Sequence, residues 1–271
     1  MNDIVLAFSL TLLAGLATGL GALIAFFTER TNKKFLSAAL GFSAGVMIYV
    51  SLIEIFFKAK DALTLALGDT KGYWMTVIGF FGGMLFIALI DNFIPNKTNP
   101  HEVKTVEDVQ QAERTHKEIE NVKLMKVGVF TALAIGIHNF PEGIATFMSA
   151  MHDPSVGIAI AIAIAIHNIP EGIAVAIPIF YATGQRMKAF KLSFLSGLAE
   201  PIGALVAFLI LMPFLNDVMF GIIFAAVAGI MVFISLDELL PAAKKYDETH
   251  SSIYGLVIGM AVMAVSLILL S

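Results

Sequence analysis

LAGLATGLGALIAFF, residues 13–27, and LSGLAEPIGALVAFL, residues 195–209, align without a gap and are identical at nine of fifteen positions. A second pair extends the match. AGVMIYVSLIE (44–54) aligns with AGIMVFISLDE (228–238), six of eleven identical. Gly79, Gly83 and Met84 match Gly255, Gly259 and Met260 more weakly. HNFPEGIA (138–145) matches HNIPEGIA (167–174). Shared Gly, Ser and Glu positions separate this from chance similarity among apolar segments. The chain therefore reads as a repeat of three segments, a central related pair, and three segments again.

Those segments are apolar blocks, which sets the fold class. The 271 residues are 58% hydrophobic and 14% charged, against about a quarter charged in soluble domains. Eight blocks, at about 4–27, 35–57, 73–95, 127–149, 156–181, 190–213, 218–240 and 252–270, have the length and apolarity of transmembrane helices. The expectation is an all-α membrane protein with eight transmembrane helices in a 3+2+3 inverted repeat. Residues 1–271 would form a single transmembrane domain, with a charged cytoplasmic loop at about 96–126. MNDIVLAF at the start lacks the basic region of a cleaved signal peptide. The absence of cysteine excludes disulfides and thiolate metal ligands. The net charge of −4 gives no reason to expect nucleic acid.

Loop charge sets the direction, because cytoplasmic loops are enriched in Lys and Arg. With the N-terminus outside, the cytoplasmic connections hold 14 of the 17 basic residues, and only Lys58, Lys60 and Lys71 remain outside. Both termini then lie outside. Every matched pair of blocks runs in opposite directions, which makes the repeat inverted. Transporters of this plan bind substrate near the midplane, at the repeat interface.

Polar residues fall at that depth. His138, His167 and Glu200 each lie about ten residues into their blocks, near the middle of a span of about twenty. A charge there costs at least about 2.5–3.5 kcal/mol, and no Lys or Arg lies at the depth of Glu142, Glu171 and Glu200. Either they are protonated or a cation pairs with them. The spacing favours a cation. His138/Glu142 and His167/Glu171 are i, i+4 pairs, each on one helix face. Pro141 and Pro170 lack a backbone N–H and free the carbonyls of Ile137 and Ile166. Asn139 and Asn168 sit one position round. Imidazole suits Zn, Fe, Co and Ni, whereas carboxylate and amide oxygen suit harder ions such as Mn. A structural polar network is the plain alternative for one such histidine; two copies of HNxPEG and a third glutamate point to cation transport. The chain has no HExxH of a metalloprotease and no P-loop for ATP. At the helix ends, Glu54, Glu238, His152 and Asp153 are open between a role in metal passage and an interfacial one.

The doubled HNxPEG motif, the GLAEPIGA segment and the eight-block layout resemble the ZIP (Zrt-, Irt-like protein) metal transporters, in particular their bacterial zinc-uptake branch. The resemblance covers nearly the whole chain. It implies uptake of Zn2+, with Fe2+, Mn2+, Co2+ and Cd2+ as further substrates, toward the cytoplasm across a bacterial inner membrane. It implies no enzyme activity, and as partners only metal ions, the bilayer and at most a second copy in a homodimer. It also implies two adjacent metal sites. His138, Glu142, His167 and Glu171 would form the first; Asn139, Asn168 and Glu200, sharing Glu142 and Glu171, the second.

The orientation is directly testable. Cysteines introduced at Thr98 and Gln185 will react with an impermeant thiol reagent only from the cytoplasmic side, and one at Asp153 only from outside. Labelling of Thr98 from outside in intact cells contradicts the eight-block, N-out arrangement.

Overall fold

The computed structural model describes residues 2–26, 33–93, 117–214, 216–245, 247 and 249–270. All regular structure among them is helical: α1 (Asn2–Phe26), α2 (Lys33–Tyr49), α3 (Phe56–Leu67), α4 (Asp69–Phe93), α5 (Lys117–His152), α6 (Pro154–Thr183), α7 (Arg186–Gly197), α8 (Ala199–Val206), α9 (Asp217–Ile234), α10 (Leu240–Lys245) and α11 (Ser251–Leu270). Among the described residues, seven helices are long and apolar enough to cross a membrane. The fourth predicted block, 127–149, lies inside α5. The chain is an all-α membrane protein. Exposed Tyr73 and Trp74 open α4, and Phe81, Leu85, Ile258 and Leu269 are exposed further along the spans, where lipid is the solvent.

Two expectations need correction, those for the second and sixth blocks. The second block runs ten residues past its predicted end, because Phe56–Leu67 continues the helix to Gly68 (φ 80°). Its Ala59 and Leu63 are fully buried, and Gly221 of α9 lies against both. Lys58 and Lys60, read as loop residues, are therefore helical. The charged stretch 96–126 lies outside the described residues up to 116; from Lys117 it is already helix. The sixth block is not one regular helix. It breaks at Leu198, between α7 and α8. Pro201 has no N–H to give the Gly197 carbonyl, which loosens the turn there. The aligned position in α1 is Gly19, and α1 runs uninterrupted.

Wide π turns interrupt three spans. They cover Val50–Ile55, Ala207–Leu211 and Ser235–Leu239. In the first, the Phe56 N–H donates to the Ser51 carbonyl; in the last, the Leu240 N–H donates to the Ser235 carbonyl. Ser51 and Ser235 are aligned positions of the internal repeat. Such bulges re-aim side chains and recur at functional sites.

Packing is closest where glycines face backbone, as expected in membranes, where small residues let helices approach. α1 packs most extensively on α6, α2 on α11, α5 on α6 and α8, and α4 on α9. Aligned positions make corresponding contacts. A Cβ on Gly15 would strike the Gly197 carbonyl, and one on Gly197 the Gly15 carbonyl. A Cβ on Gly172 would strike the carbonyl of Thr18, and one on Gly143 that of Glu200, Thr18 being the position aligned with Glu200. The glycine beside each central glutamate thus seats α5 on α8 and α6 on α1.

Gly172→Val will lower thermal stability in detergent by at least about 1–3 kcal/mol, as overpacking does. Gly82→Ala, whose Cβ meets nothing within 4 Å, will melt like the native protein. Equal melting of the two variants contradicts this packing.

Candidate metal site

α5 and α6 carry the two HNxPEG segments as continuous helix through Pro141 and Pro170. α6 begins at an Asp153 cap, whose carboxylate accepts from the Ser155 N–H at 2.9 Å, with Pro154 in the first turn. Held antiparallel, the two helices bring their motifs together at mid-length.

Six of the seven predicted residues have described side chains, and each is at most 2% exposed: Asn139, Glu142, His167, Asn168, Glu171 and Glu200. The seventh, His138, lies on α5, but its side chain is outside those described. His167 Nε2 is 3.1 Å from Glu142 Oε1 and 3.9 Å from Glu171 Oε1. One imidazole nitrogen therefore faces carboxylates from both helices. The Asn168 amide turns the other way. Its Nδ2 donates to the Ala14 carbonyl at 2.9 Å and to Glu200 Oε1.

Five of the six residues thus fall into two neighbouring groups. Glu142, His167 and Glu171 form one, and Asn168 and Glu200 the other. Asn139 hydrogen-bonds to neither; both its amide atoms, Asn168 Oδ1 and Glu200 Oε2 are buried without a hydrogen-bond partner among the described residues. Leaving such a group unmade costs about 1–3 kcal/mol. Among the described residues no three His, Asp or Glu side chains form a ready-made metal cluster, and His138 is not among the side chains compared.

Three supports were not read from the sequence. The Ala14 carbonyl is a backbone group and leaves no sequence signal. The Ser193 hydroxyl donates to the Gly172 carbonyl at 3.1 Å, with the Thr18 carbonyl 3.4 Å away, tying α7 to α6 and α1 beside Glu171. Glu200 lies in the first turn of α8, where a helix N-terminus favours negative charge. The signal for that was Pro201 in place of the aligned Gly19.

A bundle of membrane-crossing helices with buried histidine, amides and three carboxylates at its centre defines a polytopic membrane protein. The comparison with protein families is specific. The profile of the ZIP Zinc transporter family matches residues 95–267, and the chain belongs to that family. It is 78% identical over 269 residues to a protein of Lysinibacillus sphaericus described as Zinc transporter ZupT, with 99% of each chain covered. Proteins of the same description from Oceanobacillus iheyensis and Clostridium perfringens are 73% identical over 271 residues and 59% over 277. Those matches cover 100% of both chains in the first case, and 99% of this chain and 97% of its relative in the second.

Asn168→Ala will leave both Glu200 Oε1 and the Ala14 carbonyl without their shared donor. The expected loss is about 1.5–3 kcal/mol, the range for a hydrogen bond to a charged group, read as a lower melting temperature in detergent. An unchanged melting temperature contradicts a structural role for this amide.

Proposed function

We propose that the protein carries divalent zinc across the membrane into the cytoplasm, through the buried group formed by His138, Asn139, Glu142, His167, Asn168, Glu171 and Glu200. The observation that carries this is the convergence of Glu142 and Glu171 on His167 in the buried centre of the bundle. Two ligands on one tetrahedral zinc, each bonded at about 2.0–2.1 Å, lie about 3.3–3.4 Å apart. The 3.1 and 3.9 Å separations bracket that figure. The relatives named as zinc transporters supply the identity of the ion.

In the finer reading, His138, Glu142, His167 and Glu171 hold one ion, and Asn139, Asn168 and Glu200, with shared Glu142 and Glu171, hold a second beside it. Support comes from the two groups described above, which meet through the central carboxylates. Fe2+, Mn2+, Co2+ and Cd2+ are further substrates, because the set mixes imidazole with oxygen and has no thiolate to trap the ion. The corresponding glycine contacts and π turns support the inverted repeat, and the 14-to-3 charge bias supports termini outside a bacterial inner membrane. With that orientation, a potential of 100 mV, inside negative, favours inward movement of a divalent ion by about 4.6 kcal/mol. The reading needs no chemical step, and the proposed protein is a carrier without enzyme activity.

The test is uptake of Zn, Fe and Mn by single mutants, normalised to protein in the membrane. Glu142→Ala and Glu171→Ala remove a carboxylate from both groups and will abolish uptake of all three metals. Glu200→Ala leaves the imidazole group intact and will depress Fe and Mn, which favour oxygen, more than Zn. If the native protein gives no zinc uptake, the proposed function is wrong; if Glu142→Ala still takes up zinc, the proposed site is wrong. If Glu200→Ala lowers all three metals as severely as Glu142→Ala, the site acts as one unit and the two-group division fails.

A further inference from the structure

The two central helices differ on the side of the site that each extends toward its far end. On α5, Asn139, Glu142, Thr146 and Ser149 are spaced i, i+3, i+7 and i+10, which places them on one helix face. Thr146 is fully buried and Ser149 is 2% exposed. Neither hydroxyl has a hydrogen-bond partner among the described residues.

Buried hydroxyls in this bundle divide between two conditions: those of Thr18, Ser37, Ser43 and Ser51 are likewise without a hydrogen-bond partner among the described residues, and others bond within their own helix. Thr11, Thr76 and Ser235 are also fully buried. Each donates to the carbonyl four residues before it, at 2.8, 2.9 and 2.7 Å. This back-bond is one arrangement open to Ser and Thr inside helices. Thr146 and Ser149 forgo it, although the same helical carbonyls are within reach. On α6, the position aligned with Thr146 is Val175, fully buried and apolar, and the position aligned with Ser149 is Pro178. The stripe therefore belongs to one half of the pair only.

It also leads somewhere. Seven residues separate Glu142 from Ser149, about 10 Å along a helix. Four residues further is Asp153, at the α5–α6 connection. From that connection inward, the polar groups along α5 run from carboxylate to hydroxyls to the Glu142 carboxylate.

We propose that Thr146 and Ser149 line the route between the α5–α6 connection and the central site, and that their hydroxyl oxygens replace water around the divalent cation as it passes. This rests on the proposed transport function and adds two residues to it. A neutral hydroxyl suits the task. Conduction needs contacts favourable enough to admit the ion and weak enough to release it, and a carboxylate at either position would hold it. With Val175 and Pro178 at the aligned positions, α6 offers no equivalent route, so the two sides of the site are reached differently.

The experiment compares Thr146→Val/Ser149→Ala with the native protein in zinc uptake by proteoliposomes and in equilibrium zinc binding to the purified protein. The maximal uptake rate will fall about tenfold, the effect of losing one contact to a charged species. The zinc Kd will stay within about twofold of native, because the central ligands are untouched. The single variant Thr146→Ser removes a methyl group but keeps both hydroxyls, and it will transport at the native rate. Thr11→Val, which removes a back-bonded hydroxyl of equal burial, will also transport normally. A native uptake rate in the double variant overturns the proposal. So does a loss of rate that Thr146→Ser shares, or a loss of zinc binding along with rate, since either marks a packing role. Glu142→Ala is measured alongside. Native protein that takes up no more zinc than protein-free liposomes sinks the transport reading itself, uptake persisting in Glu142→Ala sinks the assignment of the central site, and loss of uptake there beside a fully active double variant sinks only the hydroxyl route.

Discussion

Three carboxylates that water does not reach govern how this bundle is built. Glu142, Glu171 and Glu200 are each at most 2% exposed, at the centre of helices that cross a membrane. At the bilayer centre each ionised group costs at least about 2.5–3.5 kcal/mol. The described contacts offset part of that: His167 faces Glu142 and Glu171, and Asn168 donates to Glu200. A divalent cation between them offsets more, because it lies near several carboxylates at once in a medium where Coulomb forces are weakly screened. In the proposed function this cost becomes the driving force for drawing the ion out of water.

The remaining architecture places those charges. Gly143 and Gly172 follow the two central glutamates and admit the backbones of α8 and α1. Larger residues there would push apart the elements that carry the ligands. Thr18 and Glu200 occupy aligned places against these glycines, yet only one is charged. The aligned segments match closely in sequence, and a few substitutions break the match. Glu200 replaces a threonine, Pro201 replaces Gly19 and opens the turn at Leu198, and Thr146 stands where α6 has Val175.

Much of this was legible in the sequence because a membrane simplifies the code. Long apolar blocks revealed spans, and rare polar residues within them marked the buried centre. His167 and Glu171 lie 3.9 Å apart as their i, i+4 spacing implied, while the 3.1 Å approach of His167 to Glu142 crosses from α6 to α5 and Asn168 pairs with Glu200 beside them. Three kinds of feature were not legible. Phe56–Leu67 looked like loop because Lys58, Lys60 and Asp61 mask an amphipathic helix that buries only Ala59 and Leu63. The π turns leave no periodic trace; the shared SL-x-E of residues 51–54 and 235–238 marked a matched feature without saying what it was. Asn168 reaching the Ala14 carbonyl depends on a tertiary contact between α1 and α6, which no local pattern encodes.

The central claim is that zinc sits among these buried groups, and X-ray absorption at the zinc edge of purified, zinc-loaded protein tests it most directly. The account predicts a first shell of nitrogen and oxygen at about 2.0–2.2 Å, with the outer-shell scattering of imidazole, and no sulfur. Glu142→Ala will strip that signal. A shell of water oxygens alone, without imidazole, or one unchanged by Glu142→Ala, contradicts the account.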